Sequence, residues 1–172
     1  MASIAWFTVL INAAAAAVLA LAAVLLYVVF YAIVLERRSW QNIIWGGLSG
    51  CMPVLIGGAA VTGSLEWAPV VLFLVIFFWT PAYYWPLSIQ FRTDYTRAGV
   101  PMLPVVAGEI VVDRQVVLYT AATIATTLLL VPVAGTGWFY AGLVAAAGAW
   151  FLRDALRLYR RAPSRVRASR LR

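Results

Sequence analysis

The residues best suited to chemistry crowd into one polar stretch, RTDYTRAGVPMLPVVAGE, within the segment Arg92–Arg114. That segment carries Arg92, Asp94, Arg97, Glu109, Asp113 and Arg114, and the chain enters it past Phe77, Phe78, Trp79, Tyr83, Tyr84 and Trp85. Such a collection suits a diphosphate. A carboxylate can hold Mg²⁺, which bridges phosphate oxygens. Arginine donates paired hydrogen bonds to phosphate in a fixed fork. Aromatic faces stabilise a developing carbocation by about 0.5–2 kcal/mol per contact. Arg37 and Arg38 could add positive charge from an earlier loop. The same residues also suit a blander role, because aromatics form belts at membrane interfaces and loop arginines fix topology. Asn42 stands near the mouth of an apolar run, where lining a cavity and capping a helix explain it equally well.

The inventory excludes other chemistry. The chain has no histidine and a single cysteine, Cys51. It therefore makes no intrachain disulfide, no Cys/His metal site and no triad with an imidazole base. Cys51 is expected to be a small packing residue.

These groups must be positioned by elements that live in lipid. The chain has 172 residues, 65% of them hydrophobic and 11% charged, with a mean hydropathy of +0.92. A soluble domain carries about a quarter charged residues, so there is too little polar surface here for a water-facing globule. All 13 basic residues are arginines, against 6 acids, for a net charge of +7. The arginines punctuate apolar runs, so lipid headgroups, and not nucleic acid, are the expected partner. The uncharged run Met1–Leu35 lacks the basic start and short core of a signal peptide.

A spanning helix takes about 20 apolar residues. The charge-free stretches predict five: residues 12–35, within 39–65, within 67–91, and two from 115–152 divided at Pro132, Gly135 and Gly137. In that arrangement Arg37, Arg38, Arg92, Arg97, Arg114 and every arginine from Arg153 to Arg172 fall on one side. The expectation is an all-α polytopic membrane bundle in the cell membrane, amino terminus outside and carboxyl terminus cytoplasmic. Residues 161–172 read as an unfolded basic cytoplasmic tail after a membrane domain over 1–160. Gly46 and Gly50 form a GxxxG pair expected to make a helix–helix contact. Glu109 and Asp113 are expected to be solvated ahead of the fourth span.

The ordered text goes further. RRSWQNI, GCMPVLIG, AVTG, FFWTP and DYTRAGVPMLP strongly resemble the protoheme IX farnesyltransferases, or heme O synthases, a branch of the intramembrane UbiA-type prenyltransferases. The resemblance covers roughly residues 12–150. It implies a helical bundle with a cavity opening to the cytoplasm, in which farnesyl diphosphate is joined to a vinyl group of heme B with Mg²⁺. By that resemblance Asp94 is the Mg²⁺–diphosphate carboxylate, flanked by Arg92, Tyr95 and Arg97. Arg37 and Arg38 are the basic pair that neutralises the leaving diphosphate. Asn42, Trp79, Tyr83, Tyr84 and Trp85 are the expected lining of the prenyl and heme cavity.

The chain departs from that family in three places. Tyr83 stands where the family has a histidine after WTPP, and Thr93 precedes Asp94 where a second aspartate is common. Five spans are expected where the family has nine, and its first Asp-rich motif is not in the sequence. The expectation is a fragment lacking the first helices and the last. A partner chain supplying the missing helices, or a non-catalytic remnant or scaffold, is the alternative. A small transporter is disfavoured because none of the five predicted spans holds an ionisable side chain.

Overall fold

The computed structural model describes residues 2–35 and 38–169, with side chains for 11–29, 31–33, 35 and 38–161. Helix α1 (Ala2–Leu25) continues as a π-helical segment, Leu26–Leu35. Then follow α2 (Asn42–Thr62), α3 (Trp67–Gln90), the short α4 (Arg92–Arg97) and α5 (Leu103–Val106), α6 (Glu109–Ala134) and α7 (Gly137–Ser169). Helices are the form in which an apolar run can satisfy its own backbone in lipid. The polar side chains inside them follow suit. Thr80, Thr123 and Thr127 each donate to the carbonyl one turn back, at 2.8, 2.8 and 2.7 Å.

The turns fall where the sequence places them. Gly63 ends α2 in the left-handed region at φ 73°, and its N–H donates to the Ala59 carbonyl at 2.8 Å. Gly135 ends α6 in the same left-handed region at φ 64°, a backbone geometry that glycine adopts without strain. From α1, Asn12 Nδ2 donates to the Val61 carbonyl at 3.3 Å, tying α1 to the last turn of α2.

The long helices pack antiparallel in one row, α1–α2–α3–α6–α7, each touching its neighbours in that order. Among the described residues α1 and α7 do not meet, so the row is open. Among the described residues four segments, and not the expected five, are long and apolar enough to cross a membrane: Ile11–Ile33, Asn42–Thr62, Trp67–Gln90 and Glu109–Ala134. The fifth apolar run, residues 137–152, is the first half of α7. At 1.5 Å per residue it comes to about 24 Å, somewhat short of a hydrocarbon core of about 30 Å. Contrary to the expected unfolded tail, α7 carries on as helix to Ser169, with nothing but good helix formers and arginines to stop it until Pro163.

The helices are largely bare to lipid, and the packed core sits at one end. It comprises Ile43, Trp85, Met102, Leu103, Val112, Val116 and Ala155. These come from the start of α2, the end of α3, the α3–α6 connection, the start of α6 and the middle of α7. Trp85 is fully buried and meets Tyr119 edge-on, ring centroids 5.2 Å apart. Its indole N–H has no acceptor among the described residues.

Trp85→Ala is expected to lower the stability of the detergent-solubilised protein by about 3–5 kcal/mol through the cavity it leaves. Trp85→Phe is expected to cost much less. It keeps an aromatic ring and removes a buried donor whose desolvation costs about 1–3 kcal/mol. Thermal melts followed by circular dichroism test this, and equal losses from both variants would count against it.

Candidate functional site

At the core-bearing end, the α3–α6 connection is folded by its own sequence. Helix α4 is a single turn and a half, and Gly99 stops it at φ 68°. The Val100 N–H then turns back to the Tyr95 carbonyl at 3.0 Å. Pro101 follows, a residue that cannot continue a helix. Met102, Leu103 and Pro104 are buried next, so the connection is pulled under the helix ends and not left in water.

That fold places Tyr95, Val100 and Met102 over a cavity of about 420 Å³. Its walls are Tyr27 and Tyr31 of the π-helical segment, Asn42, Ile43, Gly46, Gly47 and Gly50 of α2, and Ile76, Thr80 and Tyr84 of α3. The volume lies within the range of about 300–1,000 Å³ typical of small-molecule sites. Tyr27 and Tyr31 stack with centroids 5.4 Å apart. Asn42 is buried at the start of α2, where its side-chain oxygen accepts from the Ile43 N–H at 2.7 Å.

The expected site residues are distributed unevenly around this cavity. Asn42, Tyr84 and Tyr95 line it. Asp94, Arg92 and Arg97 share α4 with Tyr95 and are exposed to solvent beside it. Among the described residues none of these three charged side chains makes an ion pair, so they are free to meet a ligand. Arg38 is exposed in the π-segment–α2 connection. Arg37 lies outside the described residues.

Trp79, Tyr83 and Trp85 lie off the cavity. Helical rotation sends the aromatic run of α3 to three faces. Ile76, Thr80 and Tyr84, spaced by four, face the cavity. Phe78 and Trp85, spaced by seven, face Tyr119 of α6 at 6.1 and 5.2 Å. Trp79 and Tyr83 stack on each other at 5.2 Å on an exposed face.

Two further expectations are corrected. Glu109 and Asp113 do not sit in a solvated loop, because α6 begins at Glu109 and Asp113 is fully buried in its second turn. An acid in a first helical turn is favoured by the helix dipole, which is a reason for α6 to start there. The GxxxG pair also divides. A Cβ on Gly46 would come within 2.9 Å of the Tyr31 ring, so that glycine permits close packing. A Cβ on Gly50 would meet nothing within 4 Å, because Gly50 faces the cavity. Gly47, outside the pair, takes the second close contact, 3.1 Å from a Thr80 methyl.

Tyr27, Tyr31, Thr80 and the glycine wall were not anticipated. The available signals were two tyrosines one turn apart in an otherwise aliphatic run, and the four-residue spacing Ile76–Thr80–Tyr84. For a metal, no three His, Cys, Asp or Glu side chains converge among the described residues. Asp94 offers one carboxylate, which is not a protein-only metal cage.

Comparison with known proteins gives the arrangement a context. The chain is 60% identical over 144 residues to the protoheme IX farnesyltransferase of Leifsonia xyli subsp. xyli, covering 84% of this chain and 47% of the relative. It is 55% identical over 159 residues to that of Clavibacter michiganensis subsp. michiganensis, covering 92% and 52%. With that of Streptomyces avermitilis it shares 53% over 153 residues, covering 89% and 50%. The chain thus spans about half the length of the curated relatives it matches. No solved structure matches it. The UbiA prenyltransferase family model matches residues 1–171, and a row of apolar helices with a polar-mouthed cavity at one end accords with that match: the chain belongs to the UbiA prenyltransferase family.

Proposed function

We propose that this chain forms the prenyl diphosphate side of a heme farnesyltransferase, taking the isoprenoid from farnesyl diphosphate to a vinyl group of heme B. The observation that carries the proposal is the identity of 53–60% to relatives named protoheme IX farnesyltransferase. The acceptor and the chain length rest on those names. The cavity supports the donor half of the reading independently. Its lining joins tyrosines, Asn42 and Thr80 to Ile43, Ile76, Val100 and Met102, and the exposed Arg92 and Arg97 share a short helix with its Tyr95, which suits an amphiphile with an anionic head.

In this proposal Arg92, Arg97 and Arg38 take up charge on the departing diphosphate, which is stabilisation of charge where it develops. Arg37 adds to them from the same connection. The faces of Tyr27, Tyr31, Tyr84 and Tyr95 steady the allylic cation. The terminal vinyl carbon of heme forms the new bond to the isoprenoid carbon that lost diphosphate. Water then adds to the neighbouring carbon and releases a proton. Until that step the apolar walls exclude bulk water. Asp94 would be the carboxylate that holds Mg²⁺ brought with the diphosphate, and the metal would supply further positive charge to the phosphate oxygens.

A second reading is favoured by the lone carboxylate and by the open row of helices. Here the chain is a half or scaffold that works with polypeptide carrying the family's other acidic motif. The cell membrane is the proposed location, with the arginine-bearing end cytoplasmic.

Three measurements test these readings. Mass spectrometry would detect heme O in nanodiscs containing the chain, farnesyl diphosphate, heme B and Mg²⁺. Product from the chain alone supports self-sufficiency. Product only when the second acidic motif is supplied supports the split reading. No product under either condition, with no binding of farnesyl diphosphate, sinks both. In binding assays Arg97→Ala is expected to weaken farnesyl diphosphate by about tenfold with or without Mg²⁺. Asp94→Asn is expected to weaken it by about tenfold with Mg²⁺ and to strengthen it without, because the metal-free aspartate repels the ligand. A loss from Asp94→Asn that ignores Mg²⁺ would refute the role given to that carboxylate. A reporter fused after Ser169 is expected to be active in the cytoplasm, and periplasmic activity would reverse the orientation.

A further inference from the structure

We propose that an arginine stripe on the exposed face of α7 is a docking surface for anionic phospholipid headgroups. The proposal stands apart from the prenyl diphosphate reading and needs only that the bundle lies in a bilayer.

Helical spacing makes the stripe. Arg153, Arg157, Arg160 and Arg161 are all exposed. On a helix of 3.6 residues per turn they fall within an arc of about 100°. Ala155, which is buried in the core, lies on the opposite side of the helix. Thus α7 packs by one face and presents its arginines on the other. Asp154 is the one acid of α7, and it pairs with Arg157 at 3.4 Å. On the adjoining stretch of α6, Asp113 is fully buried and Glu109 half-buried, whereas Arg114 is exposed. The exposed charge along these two helices is therefore five arginines against one carboxylate.

The height of the stripe favours lipid over a soluble partner. Gly148 of α7 packs on Ile124 of α6, whose side chain would come within 2.9 Å of an added Cβ. The helices run antiparallel. Ten residues back along α6 and ten residues on along α7 therefore reach the same height, which sets Arg114 level with Leu158. The uncharged part of α6, residues 115–134, is about 30 Å long, the thickness of a hydrocarbon core. By that measure the hydrocarbon ends at Arg114. Measured on α7, it ends at Arg153, about 7.5 Å lower. The stripe straddles both marks, and its upper members stand in a headgroup layer about 5–7 Å deep. The long stem of Arg153 lets its guanidinium rise to the same layer. There each arginine can offer a fork of donors to phosphate oxygens. A net positive surface at that height selects headgroups with net negative charge, in a manner that salt screens.

The test uses the full chain in phosphatidylcholine vesicles, with spin-labelled phosphatidylglycerol and spin-labelled phosphatidylcholine reporting the lipid held at the protein surface. Phosphatidylglycerol is expected to be preferred by at least about threefold at low salt, and the preference is expected to fade at high salt. Replacing the three residues together, Arg153→Gln, Arg157→Gln and Arg160→Gln, is expected to remove most of that preference. The matching triple change to Lys is expected to keep it. Inorganic diphosphate at matched ionic strength is expected to leave it unchanged. No preference in the unsubstituted chain, a preference that survives the Gln changes, or equal loss from the Gln and Lys changes overturns the proposal. Abolition by diphosphate assigns the stripe to a soluble anion and overturns it as well. Farnesyl diphosphate is expected to bind the Gln variant as it binds the unsubstituted chain, so failure of the substrate site leaves the lipid measurement intact.

Discussion

The packing of Trp85 against Leu103, Val112 and Val116 is the contact on which the arrangement depends. In lipid, helices gain nothing by hiding apolar side chains from a solvent that is itself apolar. Only where the chain leaves the hydrocarbon does water restore a drive to bury them. The α3–α6 connection supplies Met102 and Leu103 at that boundary, and the ends of α2, α3, α6 and α7 close around them. Without this cluster the connection would have no reason to fold beneath the helices. With it, Tyr95 is brought over the cavity, and Asp94, Arg92 and Arg97 are left facing water beside it.

Energetics and chemistry therefore divide along the membrane normal. The end that holds the core also gathers the arginines, because each connection on that side carries them and the turns on the other side, at Gly63 and Gly135, carry none. Deeper in, the cavity wall is a run of glycines facing tyrosine, threonine and isoleucine. The lining of the cavity is thus set by the register of three helices with a folded loop.

Membership of the UbiA prenyltransferase family fits this division of labour. The match to about half of each relative also fits an open row in which α1 and α7 each have a neighbour on one side only. Trp150 donates to Asp154 at 3.0 Å, and Asp154 pairs with Arg157 at 3.4 Å. This exposed aromatic–acid–base ladder begins where the apolar run ends, and such surface pairs add little to stability.

The sequence by itself determined four of the five expected spans, the turns at Gly63 and Gly135, the gathering of arginines at one end and the family resemblance. Each of these is written in consecutive residues: length of apolar run, glycine at a stop, charge in a loop, ordered motifs. What it left open was which way each side chain faces. A soluble helix declares its buried side through alternating polar and apolar residues. The α3 run FFWTPAYYW is apolar all round, because lipid and protein interior ask for the same residue types. Only the tertiary structure could send Tyr84 to the cavity, Trp85 to the core and Trp79 with Tyr83 to the exposed face. The same ambiguity hid the difference between Gly46 and Gly50, since a small residue that admits a neighbouring helix and one that leaves a space empty look alike in sequence. Asp113 was misplaced for a related reason: a carboxylate ahead of an apolar run reads as loop, and only the helix that begins before it, at Glu109, reveals that it is buried.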